Sequence, residues 1–227
     1  MKIAIHQPNY LPWIGYFDKL EQVDQFVLLD KAVHSKSGFI HRNKIKTPNG
    51  PLVLTVPLKN KEQPINELQI ANNVNWPVSH WKAIEANYKK CPYWATYKDG
   101  FEQLYRSKWE NVATLNITLI KHINALLNIT TKILLESDFE LDFGNGNTRN
   151  VNIVSHLGGD VYLSGVGARV YNDIREFHDN QIELVYQDFK HPEYPQRFGD
   201  FQPNLSIIDM LFNCGPETME MIRKQRR

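Results

Sequence analysis

Strand, helix and strand packed into the first 30 residues leave this chain few folds to choose from. Lys2-Ile3-Ala4-Ile5 is a short apolar run, and Ile14 to Val23 sets Ile14, Phe17, Leu20 and Val23 on one helical face. Gln25-Phe26-Val27-Leu28-Leu29-Asp30 is almost unbroken apolar sequence, as a parallel strand covered on both faces requires. A βαβ unit this short predicts a parallel sheet with a right-handed crossover. In open sheets of that kind, ligands gather beyond the carboxyl ends of the strands. The loop in that position is His6-Gln7-Pro8-Asn9-Tyr10-Leu11-Pro12-Trp13. An ordinary connector uses Gly, Ser and Asp for turn geometry, whereas this one carries side chains that hydrogen-bond, stack or titrate. Its two prolines restrict the backbone on either side. The loop predicts the rigid floor of a ligand pocket, with His6 as a general base and Gln7, Asn9, Tyr10 and Trp13 contacting the ligand. Asp30 ends the second strand on the same rim and is expected to join His6 as the second catalytic group. The competing reading of His6 is a hydrogen-bonded structural residue at a strand end.

Residues 31–46 form the most basic stretch of the first half: Lys31, His34, Lys36, His41, Arg42, Asn43 and Lys44. Two readings stand open: a solvated loop, or a set in which Arg42, Asn43 and Lys44 meet a phosphate or carboxylate. Pro48-Asn49-Gly50 before Leu52-Val53-Leu54 signals a hairpin, and Ile65 to Ile70 suggests a further strand. From about 74 to 128 the pattern is helical and crowded with aromatics, which at helical spacing read as packing. The clearest helix runs from Asn111 to Leu127, with Asn128 as a left-handed cap. After residue 129 the α/β alternation returns: strands over 129–135, 161–163 and 182–186, and helices from Thr148 to Leu157 and from Tyr171 to Phe177. Val161-Tyr162-Leu163 runs into Ser164-Gly165-Val166-Gly167-Ala168-Arg169, a Ser/Gly turn before a helix, which suits an anion held by Ser164, Gly165 and Arg169. Near the end, Tyr194 and Gln196 sit in a polar loop as further ligand contacts, followed by a helix capped by Ser206 or Asn204 and stopped by Gly215. Asp209 on that helix reads as structural. The expected fold is α/β, a Rossmann-like mainly parallel sheet with a β-hairpin and a helical middle segment. One domain spans 1–227, with its core in 1–73 and 129–227 and a helical insertion over 74–128.

The charge balance, 26 basic against 25 acidic residues in 227, gives no long-range field for nucleic acid or an anionic membrane. The 42% apolar content is that of a globular chain. Cys91 and Cys214 are far apart and read as reduced thiols of a cytoplasmic protein. No apolar run approaches the ~18 residues of a membrane helix. The closing Arg223-Lys224-Gln225-Arg226-Arg227 reads as a solvated tail. Scattered histidines and unclustered carboxylates predict no metal site, and Gly-x-Ser-x-Gly is absent.

Taken together, Ile5 to Phe17, Arg42-Asn43-Lys44-Ile45, Leu54-Thr55-Val56-Pro57, Tyr162-Leu163-Ser164-Gly165 and Pro203 to Asp209 resemble the WbqC-like family over nearly the whole chain. Such proteins are associated with bacterial O-antigen and other surface-polysaccharide gene clusters. The resemblance points to sugar or nucleotide-sugar modification without naming a reaction. The favoured expectation is a transferase acting on a nucleotide-linked (amino) sugar, for instance by acyl or aminoacyl transfer. The expected small-molecule partner is a nucleotide or nucleotide sugar, and no cofactor is assigned. A second likeness concerns layout. The early loop, Asp30 and the late Ser164-Gly165 turn ending in Arg169 are similar to the nucleotidylyltransferases with a His-x-Gly-His signature. Here Pro12-Trp13-Ile14-Gly15-Tyr16 stands in the signature's place, without its histidines. An activating nucleotidyltransferase and a non-catalytic binding module for a glycan precursor or partner protein are therefore the alternative expectations.

Overall fold

A computed structural model describes residues 1–35 and 38–226. Lys36 of the basic stretch and Arg227 of the expected tail lie outside the described residues. Five strands, β1 (Lys2–His6), β2 (Gln25–Leu28), β5 (Lys132–Leu135), β6 (Val161–Ser164) and β7 (Glu183–Tyr186), form one sheet in the order β5-β2-β1-β6-β7. Every pairing in it is parallel. Between β2 and β5 the chain makes a separate antiparallel hairpin of β3 (Arg42–Thr47) and β4 (Gly50–Thr55).

Side-chain alternation divides the core into two layers. On one face, Ala4, Phe26, Leu28 and Leu163 pack under α1 (Ile14–Glu21), α2 (Trp76–Tyr88), α3 (Trp94–Arg106), α4 (Val112–Leu126), α7 (Ile207–Cys214) and α8 (Thr218–Arg223). On the other, Ile3, Ile5, Val27 and Tyr162 meet Val151, Ile153 and Val154 of α5 (Gly146–His156) and Phe177 of α6 (Ile174–Asp179). The strand order reverses between β1 and β6, because β1 leads to α1 on one face and β6 leads to α6 on the other. Those two loops must diverge, and the gap they leave is the crevice where ligands bind in such sheets.

The helical middle follows its aromatic pattern. Trp76, Tyr88, Tyr97, Phe101 and Tyr105 are buried, and Trp81 stacks on Trp94 with ring centroids 5.3 Å apart. The Asn111 side chain caps α4 by accepting from Thr114 N at 3.1 Å, and Asn128 takes the left-handed conformation with φ of 55°. Both cysteines are free and buried.

Three expectations are corrected. Ile65 to Ile70 is not a strand: Ile65–Glu67 forms a short 3-10 turn, because buried Ile65 and Leu68 recur three apart rather than alternately. The helix expected from Tyr171 starts at Ile174, where the Asp173 carboxylate accepts from Arg175 N, and a 3-10 turn over Val166–Val170 precedes it. The basic tail is docked rather than solvated: Arg226 donates to Asp18 Oδ1 at 2.7 Å and Arg223 to Glu21 Oε1 at 2.8 Å. No helix among the described residues is long and apolar enough to cross a membrane.

Candidate functional site

A cleft of about 760 Å³ opens at the crevice between the carboxyl ends of β1 and β6. His6, Gln7 and Trp13 line it from the loop after β1, and Ser164, Gly165, Val166, Gly167 and Ala168 from the loop after β6. Thus two stretches more than 150 residues apart in sequence form walls of one cavity. Gly15, Tyr16 and Lys19 of α1, Gln187 and Phe189 beyond β7, and Tyr171 complete most of the rest.

The first loop is held from below. Asn116 of α4, fully buried, donates its amide to Pro8 O at 2.8 Å and Ile40 O at 2.6 Å. Asn43 of β3 donates to Leu11 O at 2.6 Å and Tyr10 O at 3.3 Å. Leu11 between them sits at φ 42°, a strained conformation for a branched side chain that these bonds over-determine. The indole of Trp13 lies flat over Gly15, where an added Cβ would fall 2.1 Å from the ring. Glycine two residues after the tryptophan is therefore what lets the ring cover the start of α1.

His6 is only partly buried as a residue, and its ring meets Tyr16 edge-on at 4.8 Å. Its Nδ1 lies 3.0 Å from Gln7 O. A carbonyl only accepts, so Nδ1 carries the proton and Nε2 offers a lone pair. Burial, with the Lys19 charge beside it, pulls the imidazole down to about 3, so the ring is neutral and a weak base. Lys19 is the residue that sequence reasoning missed. It is 3% exposed, donates from Nζ to Ile5 O at 3.2 Å, and stands 5.7 Å from the Phe26 ring centroid. Burial pulls its ammonium down to about 7. The available signal was a lysine on the helix that leaves the loop, but beside Asp18 and Glu21 it reads as solvent-facing.

Gly165 and Gly167 face open space: a Cβ on either would meet no protein atom within 4 Å. Ser164 is buried, and its Oγ accepts from Asn172 Nδ2 at 3.1 Å. Arg169 does not line the cleft. It is on the 3-10 turn that carries Val166, Gly167 and Ala168 of the lining, with its guanidinium 4.8 Å from the Tyr186 ring centroid.

The other expected residues lie elsewhere. Asp30 is buried beside the end of β2, where its carboxylate accepts from Ser137 N at 2.9 Å and Ser137 Oγ at 2.5 Å. It caps the turn after β5 instead of facing His6. The Tyr10 hydroxyl points into the helical layer, bonded to His80 Nδ1 at 2.8 Å and to the Tyr105 hydroxyl at 2.5 Å. Asn9 is buried outside the cleft lining. Arg42 and Lys44 are on the hairpin, away from the cleft lining, and Asn43 braces the loop as described. Tyr194 donates to Asp209 Oδ2 at 2.9 Å, while Gln196 Oε1 accepts from Lys46 Nζ at 3.0 Å. With Tyr88, which donates to Asp209 Oδ1 at 2.9 Å, they make a polar network linking α7 to the hairpin.

A family model described as "WbqC-like protein family" matches residues 7–221. The chain is similar to a protein of Mycobacterium tuberculosis (strain ATCC 25618 / H37Rv) named "Uncharacterized protein Rv1507c", 35% identical over 231 residues that cover 100% of this chain and 99% of the relative. No solved structure matches it.

Proposed function

The chain belongs to the WbqC-like family, and from that premise we propose that its cleft receives a nucleotide-linked (amino) sugar to which the protein transfers an acyl or aminoacyl group in surface-polysaccharide synthesis. One observation carries the reading. The cleft lies at the reversal of strand order and, among the described residues, is lined by His, Lys, amides, hydroxyls, aromatics and two open glycines without a single carboxylate. A diphosphate-bearing ligand would meet no like charge there, and the volume falls in the range of small-molecule sites, roughly 300–1,000 Å³. In this reading the Gly165–Gly167 backbone lies against the phosphates. Gln7 and Ser164 hydrogen-bond the sugar, Trp13, Tyr171 and Phe189 give it flat apolar walls, and Arg169 attracts the anion at the mouth. Asp30, Arg42 and Lys44 have no part in it.

Thermal denaturation of the folded protein with UDP-, GDP-, CDP- and dTDP-sugars tests this, with free nucleotides and free sugars as comparisons. A ligand at 100 times its dissociation constant stabilises the native state by about 2.7 kcal/mol. The expected result is a raised melting temperature with at least one nucleotide sugar, lost in Gly165→Phe, whose ring would fill the cleft. If none of them moves the transition, the cleft is not a nucleotide-sugar site. A shift with intact turnover-free binding and no transfer from any acyl donor would leave a binding module.

A further inference from the structure

We infer that Lys19, not His6, is the proton acceptor of the cleft: an amine of a lining residue, held by a backbone carbonyl, with no carboxylate among the described residues that line the cavity. The inference deepens the transferase reading and rests on it for the identity of the proton donor.

Three observations carry it. Lys19 lines the cleft from α1 together with His6 of β1. The partner of its Nζ is Ile5 O at 3.2 Å, and a carbonyl takes one N–H without requiring a charge on nitrogen. The neighbouring carboxylates are taken by other partners: Asp18 accepts from Gln187 Nε2 at 2.5 Å and Arg226 Nε at 2.7 Å, and Glu21 is held by Arg223 and Arg226. Among the described residues, the titratable groups lining the cavity alongside Lys19 are His6, Tyr16, Tyr162 and Tyr171, a set without a carboxylate. Phe26 of β2 closes the other side of the amine with hydrocarbon. An ammonium in that setting loses hydration without gaining a counter-charge, which is why burial draws it down to about 7. A base matched to neutral pH transfers protons more effectively than an imidazole that stays neutral to about 3.

The step balances as follows. The hydroxyl or amine of the sugar attacks the carbonyl carbon of an acyl donor, and its proton passes to the lone pair on Nζ. The donor's leaving group departs with the electron pair of the broken bond and takes the proton back from the Lys19 ammonium.

Competitive labelling tests the inference without substrate. The folded full-length protein is treated with trace acetic anhydride across pH 6 to 11, and each lysine's modification is mapped by peptide mass spectrometry. Lys19 is expected to reach half its limiting rate near pH 7, whereas exposed lysines do so near ~10.4. UDP-glucose or another nucleotide sugar that raises the melting temperature should slow labelling at Lys19 alone. Lys19→Met should remove the component that titrates near pH 7 from the map, which assigns it to this amine. A Lys19 that titrates with the surface lysines, or that is not labelled while the protein is folded, overturns the inference. Neither outcome touches the nucleotide-sugar reading, which the melting shift decides.

Discussion

Replacing Asn116 by alanine should loosen the loop on which the cleft depends, and the cost can be worked from the coordinates. The side chain is fully buried and supplies both amide hydrogens to backbone carbonyls, Pro8 O at 2.8 Å and Ile40 O at 2.6 Å. A buried acceptor left without its donor costs about 1–3 kcal/mol, so the two carbonyls together lose about 2–6 kcal/mol. The substitution also removes Asn116 Oδ1, a buried oxygen without a partner among the described residues, which returns about 1 kcal/mol or more. The net expectation is a loss of about 1–5 kcal/mol, large against the 5–15 kcal/mol that holds a typical domain. Urea denaturation followed by far-ultraviolet circular dichroism reads it as a lowered midpoint at unchanged slope. Thr114→Ala, at an exposed site on the same helix, serves as the comparison and should stay within about 0.5 kcal/mol. If Asn116→Ala loses less than about 1 kcal/mol, or no more than Thr114→Ala, the loop is not held from α4 and the account of its rigidity fails.

Two further outcomes follow from the same geometry. Gly15→Ala should fold with modest loss of stability yet abolish any nucleotide-sugar melting shift, because the new methyl must displace the Trp13 ring into the cleft; a shift kept at full size would contradict that placement. Burial pulls His6 down to about 3 and pulls His41 and His80 down to about 4. Each folded pKa lies below its unfolded value, so the unfolded chain binds more protons between them. The share of stability that these three rings contribute is then complete above ~6.5 and falls as pH drops toward 4. Chemical denaturation at pH 7, 6 and 5 should show a steep decline, and a flat profile over that range would refute the burial of these rings.

The fold was legible because its signals are local. β1, α1 and β2 announce themselves within 30 residues, and α4 carries its stripe and its caps in a single run. The cleft was half legible. His6, Gln7, Trp13, Ser164 and Gly165 fall at strand ends, and strand ends on a parallel sheet share one rim. Asp30 also falls at a strand end, but a cap at the end of the neighbouring strand claimed its carboxylate, and nothing near Asp30 in sequence points to Ser137. Tyr10 and Asn43 looked like ligand contacts because polar groups in a loop usually meet solvent. Their partners, His80, Tyr105 and the Leu11 carbonyl, come from elements whose packing no single stretch encodes. Lys19 stayed hidden for the opposite reason. Its neighbours Asp18 and Glu21 suggest a solvated helix face, until Arg226 and Arg223 arrive from the far end of the chain and cover them.

Gln187 sets one more property of the molecule. Just past β7, it donates its side-chain amide to Gly15 O at 2.9 Å and to the Asp18 carboxylate, while its backbone N–H donates to Ser164 O at 2.8 Å. A single residue thereby fixes the spacing between the two jaws before anything enters. An incoming molecule meets a mouth already at working width, so its capture should proceed without a gating delay and with little ordering entropy left to lose.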